Sequence, residues 1–197
     1  MKDIFAAITA YAHAYAVLEN FQRSADSALP RGDQKTGVIA EFYARLFARH
    51  CFQGAELVYG SPSQRAWDIT VRRVGSPLNY VQVKAVSSHS TTSRISPIHE
   101  GWNELWLFRL DRDFAPEGFW VLDAADCDWS NSTLKASTMP RGTSLGRPFA
   151  NAKDRLRELI AVLGDAGAPN RMLAMSTYSD LSNDAERETG RGAAATP

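Results

Sequence analysis

Residues 66–86 read AWDITVRRVGSPLNYVQVKAV. Apolar and polar residues alternate from Trp67 to Arg73 and again from Tyr80 to Val86, with Gly75-Ser76-Pro77 between the two runs. Alternation marks a strand with one buried face, and Gly and Pro between two such runs mark a turn, so the spacing predicts a β-hairpin. Asp68, Thr70 and Arg72 share one face of its first strand, and Trp67, Ile69 and Val71 share the other. On the second strand Tyr80, Gln82 and Lys84 face away from Val81, Val83 and Ala85. An apex at Ser76 sets Asp68 opposite Lys84 and Thr70 opposite Gln82. A slip of two residues sets Asp68 opposite Gln82 and keeps the polar faces together, whereas a slip of one throws the apolar set into solvent. Either permitted register gathers Asp68, Gln82 and Lys84 on one patch of the sheet.

Upstream, Phe5, Ile8, Tyr11, Tyr15 and Leu18 recur every three or four residues and predict a helix over 3–22, followed by a Pro- and Gly-containing loop over 24–33. A second helix is expected over 35–50. Val38, Ile39, Phe42, Tyr43 and Leu46 form one stripe on it, and Gly37, Ala40, Ala44 and Ala48 form a second of small residues, so it should be covered on both sides. Residues 56–59 read as a short strand. Residues 105–110 and 119–122 are almost continuously apolar and read as buried strands, with Pro116 and Gly118 marking the turn between them. Leu156, Leu159, Ile160 and Leu163 give residues 151–163 a helical period that ends at Gly164. The expected fold class is α/β: a central mixed β-sheet of about five strands flanked by helices on both faces, its first strands an antiparallel meander. Residues 1–175 are expected to form one domain, and the polar, then Gly- and Ala-rich residues 176–197 a disordered tail.

Lys+Arg and Asp+Glu both total 22 in the 197-residue chain, so the overall charge points to no partner. Its distribution is uneven: between Arg31 and His99 there are nine basic and four acidic residues, a net +5 balanced by −5 elsewhere. Such a bias favours phosphate near one surface, although a solvated charged face has the same composition. Cys51 and Cys127 lack CxxC spacing and indicate neither a disulfide framework nor a zinc site. The N-terminus carries Asp3 where a secretory signal has basic residues, and no apolar run is long enough to span a membrane, so the expected compartment is the cytoplasm.

The chemistry lies in the hairpin and the helix before it. Hard cations such as Mg²⁺ take oxygen ligands and keep several waters, so one or two carboxylates with a substrate phosphate suffice to hold one. Asp68 offers a carboxylate, Glu41 a second from the helix, Gln82 an amide oxygen and Val83 a backbone carbonyl. Lys84 can orient or help deprotonate an attacking water and stabilise charge on a phosphate.

A helix with an acid (Glu41 in GVIAEFYARLF), a strand with Asp (Asp68 in AWDIT) and a strand with an acid or Gln, one residue and Lys (Gln82-Val83-Lys84 in YVQVKAV) stand in this order. The arrangement resembles the PD-(D/E)XK nuclease superfamily, the restriction-endonuclease-like enzymes, over about residues 35–86. Two positions depart from the family pattern: Trp67 stands in place of Pro, and Gln82 in place of the middle acid, as in the family's QxK variants, which removes one charge from the metal site. The resemblance implies an enzyme, a phosphodiester hydrolase that cleaves nucleic acid, with DNA the expected substrate in restriction, defence or repair. It implies Mg²⁺, with Mn²⁺ as a substitute, held by Glu41, Asp68, Gln82 and the Val83 carbonyl, and Lys84 as the catalytic cation. A nuclease acting on both strands often works as a dimer, so a homodimer is compatible with it.

Lys35, Arg65, Arg72, Arg73, Ser87, His89 and Arg94 are the candidate nucleic-acid contacts, the last three from the polar stretch 87–96. Trp102 and Trp129 are open to a base-stacking role, whereas Trp106 and Trp120 belong to apolar strands and read as core. Each residue also has a plainer reading. Asp68 and Lys84 can be a cross-strand ion pair, Glu41 a helix partner of Arg45, Gln82 a partner of Thr70, and the 87–96 stretch an exposed loop. Two other classes of function therefore stand beside the nuclease. A catalytically silent nuclease-fold module would bind nucleic acid or a partner protein without metal-dependent cleavage. An interaction protein would have no tight Mg²⁺ site and would tolerate replacement of Lys84.

Overall fold

The computed structural model describes residues 1–23, 35–60, 66–89, 95, 98, 101–126, 149 and 151–173. Arg65, Arg94, His99, Cys127, Trp129, the 24–33 loop and the 176–197 tail lie outside the described residues. Helix α1 spans Lys2–Arg23 and α2 spans Thr36–Cys51. The strands are β1 (Glu56–Tyr59), β2 (Ile69–Arg72), β3 (Asn79–Ser87), β4 (Glu104–Leu110), β5 (Pro116–Asp123) and β6 (Lys153–Asp154), and α3 (Leu156–Asp165) and α4 (Asn170–Leu173) close the described chain. All six strands form one sheet in sequence order. β3 and β4 run parallel and every other neighbouring pair antiparallel, so the fold is α/β with a mixed sheet.

Strand alternation sorts the sheet into two faces. Ile69, Val71, Val81, Val83, Trp106, Phe108 and Phe119 pack into the larger core with Phe5 and Ile8 of α1, Ile39, Tyr43 and Phe47 of α2, Leu159 and Leu163 of α3 and Met172 of α4. Val86, Leu105, Leu107, Trp120 and Leu122 point the other way and are covered by Ile95, Ile98, Trp102 and Phe149. Among the described residues the four α-helices all contribute to the first face, and Ala124, in a short 3-10 turn over Ala124–Asp126, packs against the second. Both stripes of α2 are buried: Ala40, Ala44 and Ala48 are inaccessible alongside Ile39, Tyr43 and Leu46, while Val38 and Gly37 are exposed. Trp106 and Trp120 are core, as their strands require, and Trp102 is core too, buried with the second cluster. No helix among the described residues is long and apolar enough to cross a membrane.

The hairpin turns one residue earlier than an apex at Ser76 would place it. Ile69 pairs with Val81, Thr70 with Tyr80 and Val71 with Asn79. This is the register that sets Asp68 at the level of Gln82. Gly75 takes a left-handed φ of 76° and Ser76 N donates to the Arg73 carbonyl at 3.2 Å, closing a tight turn around Val74 and Gly75.

Pro116 and Gly118 lie inside β5, not in the turn before it. Proline is tolerated as the first residue of a strand, and the turn is Asp111–Ala115 instead. There Asp111 Oδ1 accepts from the Asp113 and Ala115 nitrogens, both at 2.8 Å, as a turn-building aspartate does. Helix α3 begins at Leu156 because residues 153–154 pair with β5, and Asp154 Oδ1 accepts from Leu156 N at 2.9 Å. The helix runs through Gly164, and it is Gly167, with φ 87°, that supplies the left-handed residue after its end.

Candidate active site

At Ile69 and Val81 the β2–β3 ladder ends. Asp68 N still donates to the Val81 carbonyl at 2.8 Å, and the Asp68 carbonyl accepts from Gly60 N at 2.8 Å, which ties Asp68 to the residue after β1. At Val83 no β2 residue runs alongside, and the Asp68 side chain takes over: its Oδ2 accepts from the Val83 backbone nitrogen at 2.6 Å. A strand residue directs its N–H and C=O to the same edge, so the Val83 carbonyl opens on the side where β2 has departed. One carboxylate and one backbone carbonyl thus share the mouth of a split between two strands.

Gln82 is 1% exposed and its Nε2 donates to the Ala66 carbonyl at 3.0 Å. It braces the segment leading into Asp68. In the shifted register Thr70 lies opposite Tyr80 and not opposite Gln82. Asp68 and Lys84 are both part-buried, and the observed register sets Asp68 at the level of Gln82 and not of Lys84.

The charges of Glu41, Asp68 and Lys84 act on one another. Burial pushes the Glu41 carboxyl above its ordinary value and Asp68 pushes it further, while Arg45 and Lys84 pull it down. Burial also raises Asp68, against the Val83 hydrogen bond and the charges of Lys84 and Arg45. Lys84 is lowered by burial and held up by Asp68 and then Glu41. Two carboxylates that resist ionisation because they are desolvated and one crowds the other make a place where a cation is favourable. Among the described residues no group of three or more His, Cys, Asp or Glu side chains is placed to hold a metal ion. The donor set is two carboxylates and a carbonyl, all hard oxygens, which fits a divalent cation that keeps part of its water shell.

No family model matches the chain, and no curated protein matches it. A solved structure of a bacterial homing endonuclease is similar at 18% identity and a TM-score of 0.40, over 66% of this chain and 92% of that one. A likeness of that strength leaves fold and function to the geometry.

The other candidate contacts are spread over the molecule. Lys35 is exposed at the start of α2. Arg72 lies at the far end of β2, about 13 Å along the strand from Asp68, and faces Glu56 at 3.8 Å. Arg73 rests over the Phe52 ring at 5.5 Å. Ser87 and His89 do not form an exposed loop, being 7% and 6% accessible. Ser87 Oγ accepts from Thr36 Oγ1 at 3.0 Å, pinning the start of α2 to the end of β3. His89 Nε2 donates to the Arg112 carbonyl at 2.8 Å, and its ring centroid lies 4.4 Å from that of Tyr15.

Sequence reasoning passed over Arg45. Its guanidinium lies 4.4 Å from the Tyr59 ring centroid, 3.8 Å from Glu41, and close enough to Asp68 to lower its pKa. The available signal was its place four residues after Glu41, which reads as an ordinary helix pair. Only the fold brings Tyr59 and Asp68 to it.

Proposed function

We propose that the protein is a divalent-metal-dependent nuclease of the PD-(D/E)XK type, hydrolysing phosphodiester bonds of DNA. The supporting observation is the strand split at Asp68, where a carboxylate that caps Val83 N–H sits beside the outward carbonyl of Val83 and within electrostatic reach of Glu41 and Lys84.

Glu41, Asp68 and the Val83 carbonyl would hold the cation, Mg²⁺ or Mn²⁺, which when bound stabilises phosphoryl charge and acidifies a water. Asp68 has one oxygen committed to Val83 N–H, so the other is its ligand atom. Gln82 keeps the Ala66–Asp68 segment in place through its amide. Lys84, part-buried beside two carboxylates, donates from Nζ to the attacking water or to a non-bridging phosphate oxygen. Water attacks phosphorus and gives up a proton to solvent, the bond to the leaving sugar oxygen breaks, and that oxygen takes up a proton from solvent.

One observation favours the catalytically silent module instead: the residue at position 82 is a neutral Gln whose Nε2 is spent on the Ala66 carbonyl, so two carboxylates are the only charged ligands proposed. Incubation of single- and double-stranded DNA and RNA with the protein and Mg²⁺ or Mn²⁺ separates the two. Metal-dependent cleavage, lost in Asp68→Asn and Lys84→Ala proteins that remain folded, is the expected result. Nucleic-acid binding without cleavage in any metal would establish the silent module.

A further inference from the structure

We infer that Arg45 binds a phosphate of the nucleic-acid strand at the Asp68–Lys84 site, a role that rests on the nuclease reading above. Tyr59, which carries the guanidinium, is the cross-strand partner of Ile69, and the next residue, Gly60, donates to the Asp68 carbonyl. The ring that supports Arg45 is thus one strand away from the residue after Asp68. From the other side Arg45 is tied to Glu41, one helical turn earlier on α2. Its charge acts on both carboxylates.

The guanidinium is fixed, yet its donors are unspent. Cation–π contact with Tyr59 holds the group at 4.4 Å. Its distance to Glu41, 3.8 Å, exceeds hydrogen-bond range, and among the described residues the guanidinium N–H groups of Arg45 make no hydrogen bond. At 40% side-chain exposure those donors remain open to a ligand. A planar fork supported on an aromatic face is suited to phosphate oxygens, which it can engage in pairs.

Charge points the same way. With Gln82 neutral, Glu41 and Asp68 are offset by Lys84 and Arg45, so the described site carries no net charge before a cation enters. A bound divalent cation then leaves +2, matched to the extra negative charge that builds on a phosphodiester under attack. An ordinary helix pair explains the spacing of Glu41 and Arg45 but not the seat on Tyr59.

The full-length protein and its Arg45→Gln, Arg45→Lys and Tyr59→Leu variants test this on a fluorescein-labelled DNA duplex. Cleavage is followed in Mg²⁺, and binding is followed in Ca²⁺ over a salt series, with urea melts to confirm folding. Arg45→Gln is expected to raise KM and Kd about tenfold and to reduce the slope of log Kd against log salt by about 0.9, the value of one phosphate contact. Arg45→Lys should keep the slope and lose part of the affinity, and Tyr59→Leu should fall between. Cleavage and salt slope unchanged in folded Arg45→Gln would overturn the assignment and leave the nuclease standing. Binding without cleavage, with the slope reduced in Arg45→Gln, would support the phosphate contact while the hydrolytic reading fell. No binding and no cleavage by the native protein would overturn both.

Discussion

The Asp68 carboxylate accepts the Val83 backbone N–H at 2.6 Å, at the point where the β2–β3 ladder stops. One side chain therefore does two things: it replaces a missing strand as hydrogen-bond partner, and it presents its second oxygen to the split beside the Val83 carbonyl.

The two roles separate by substitution. Asparagine retains an oxygen acceptor for Val83 N–H and removes the charge, whereas alanine leaves that part-buried N–H without its partner, at a cost of about 1–3 kcal/mol. Asp68→Ala is expected to lower the urea midpoint clearly, and Asp68→Asn to change it little. Cleavage should be lost in both. A midpoint for Asp68→Ala equal to that of Asp68→Asn would show that the hydrogen bond carries no stability.

The sheet was legible because its signals are local. Alternation placed the faces of β2 and β3 correctly, and the apolar runs at 105–110 and 119–122 became β4 and β5. The hairpin register was legible only to within two residues, because both registers bury the same side chains; the left-handed conformation of Gly75 decides between them. β6 is too short to leave a pattern and exists because Lys153 and Asp154 find the edge of β5. Likewise Glu41, Asp68, Gln82 and Lys84 stand out by spacing and residue type. Arg45 gains its place from Tyr59, and Ser87 and His89 are withdrawn from solvent by Thr36, Tyr15 and Arg112, contacts between residues far apart in the chain.

Glu41 gives the site a pH signature. Its carboxyl titrates above the ordinary 4.5, raised first by burial and then by Asp68. The folded state thus binds its proton more tightly than the unfolded chain, and the stability this contributes is complete below pH 4.5 and lost as pH rises through the raised folded value. Asp68 acts in the same direction from its ordinary 3.8. Without divalent cation, Glu41→Gln should therefore melt higher than the native protein at neutral pH, and the two melting temperatures should converge on acidification below pH 4.5. Addition of Mg²⁺ at about a hundred times its Kd should stabilise the native protein by about 2.7 kcal/mol and stabilise Glu41→Gln less. Parallel pH profiles for the two proteins would show that Glu41 is not the source of the slope.

Tyr43 and Phe114 support the fold away from the site. Phe114 is a fully buried non-glycine residue with φ 58°, a conformation that is costly for a bulky side chain and persists only where its surroundings hold it. Tyr43 Oη donates to the Phe114 carbonyl at 2.9 Å, and the Phe114 ring packs against Tyr11, Tyr15 and His89. Burial raises the phenol pKa far above its ordinary 10.0, so Tyr43 remains a donor throughout the working range. Tyr43→Phe keeps the ring and removes the donor, leaving the buried carbonyl without this hydrogen bond. The expected loss is about 1–3 kcal/mol in urea unfolding, with DNA cleavage per folded molecule unchanged. A loss of cleavage equal to that of Asp68→Asn, with stability preserved, would instead connect the Asp111–Ala115 turn to the chemistry.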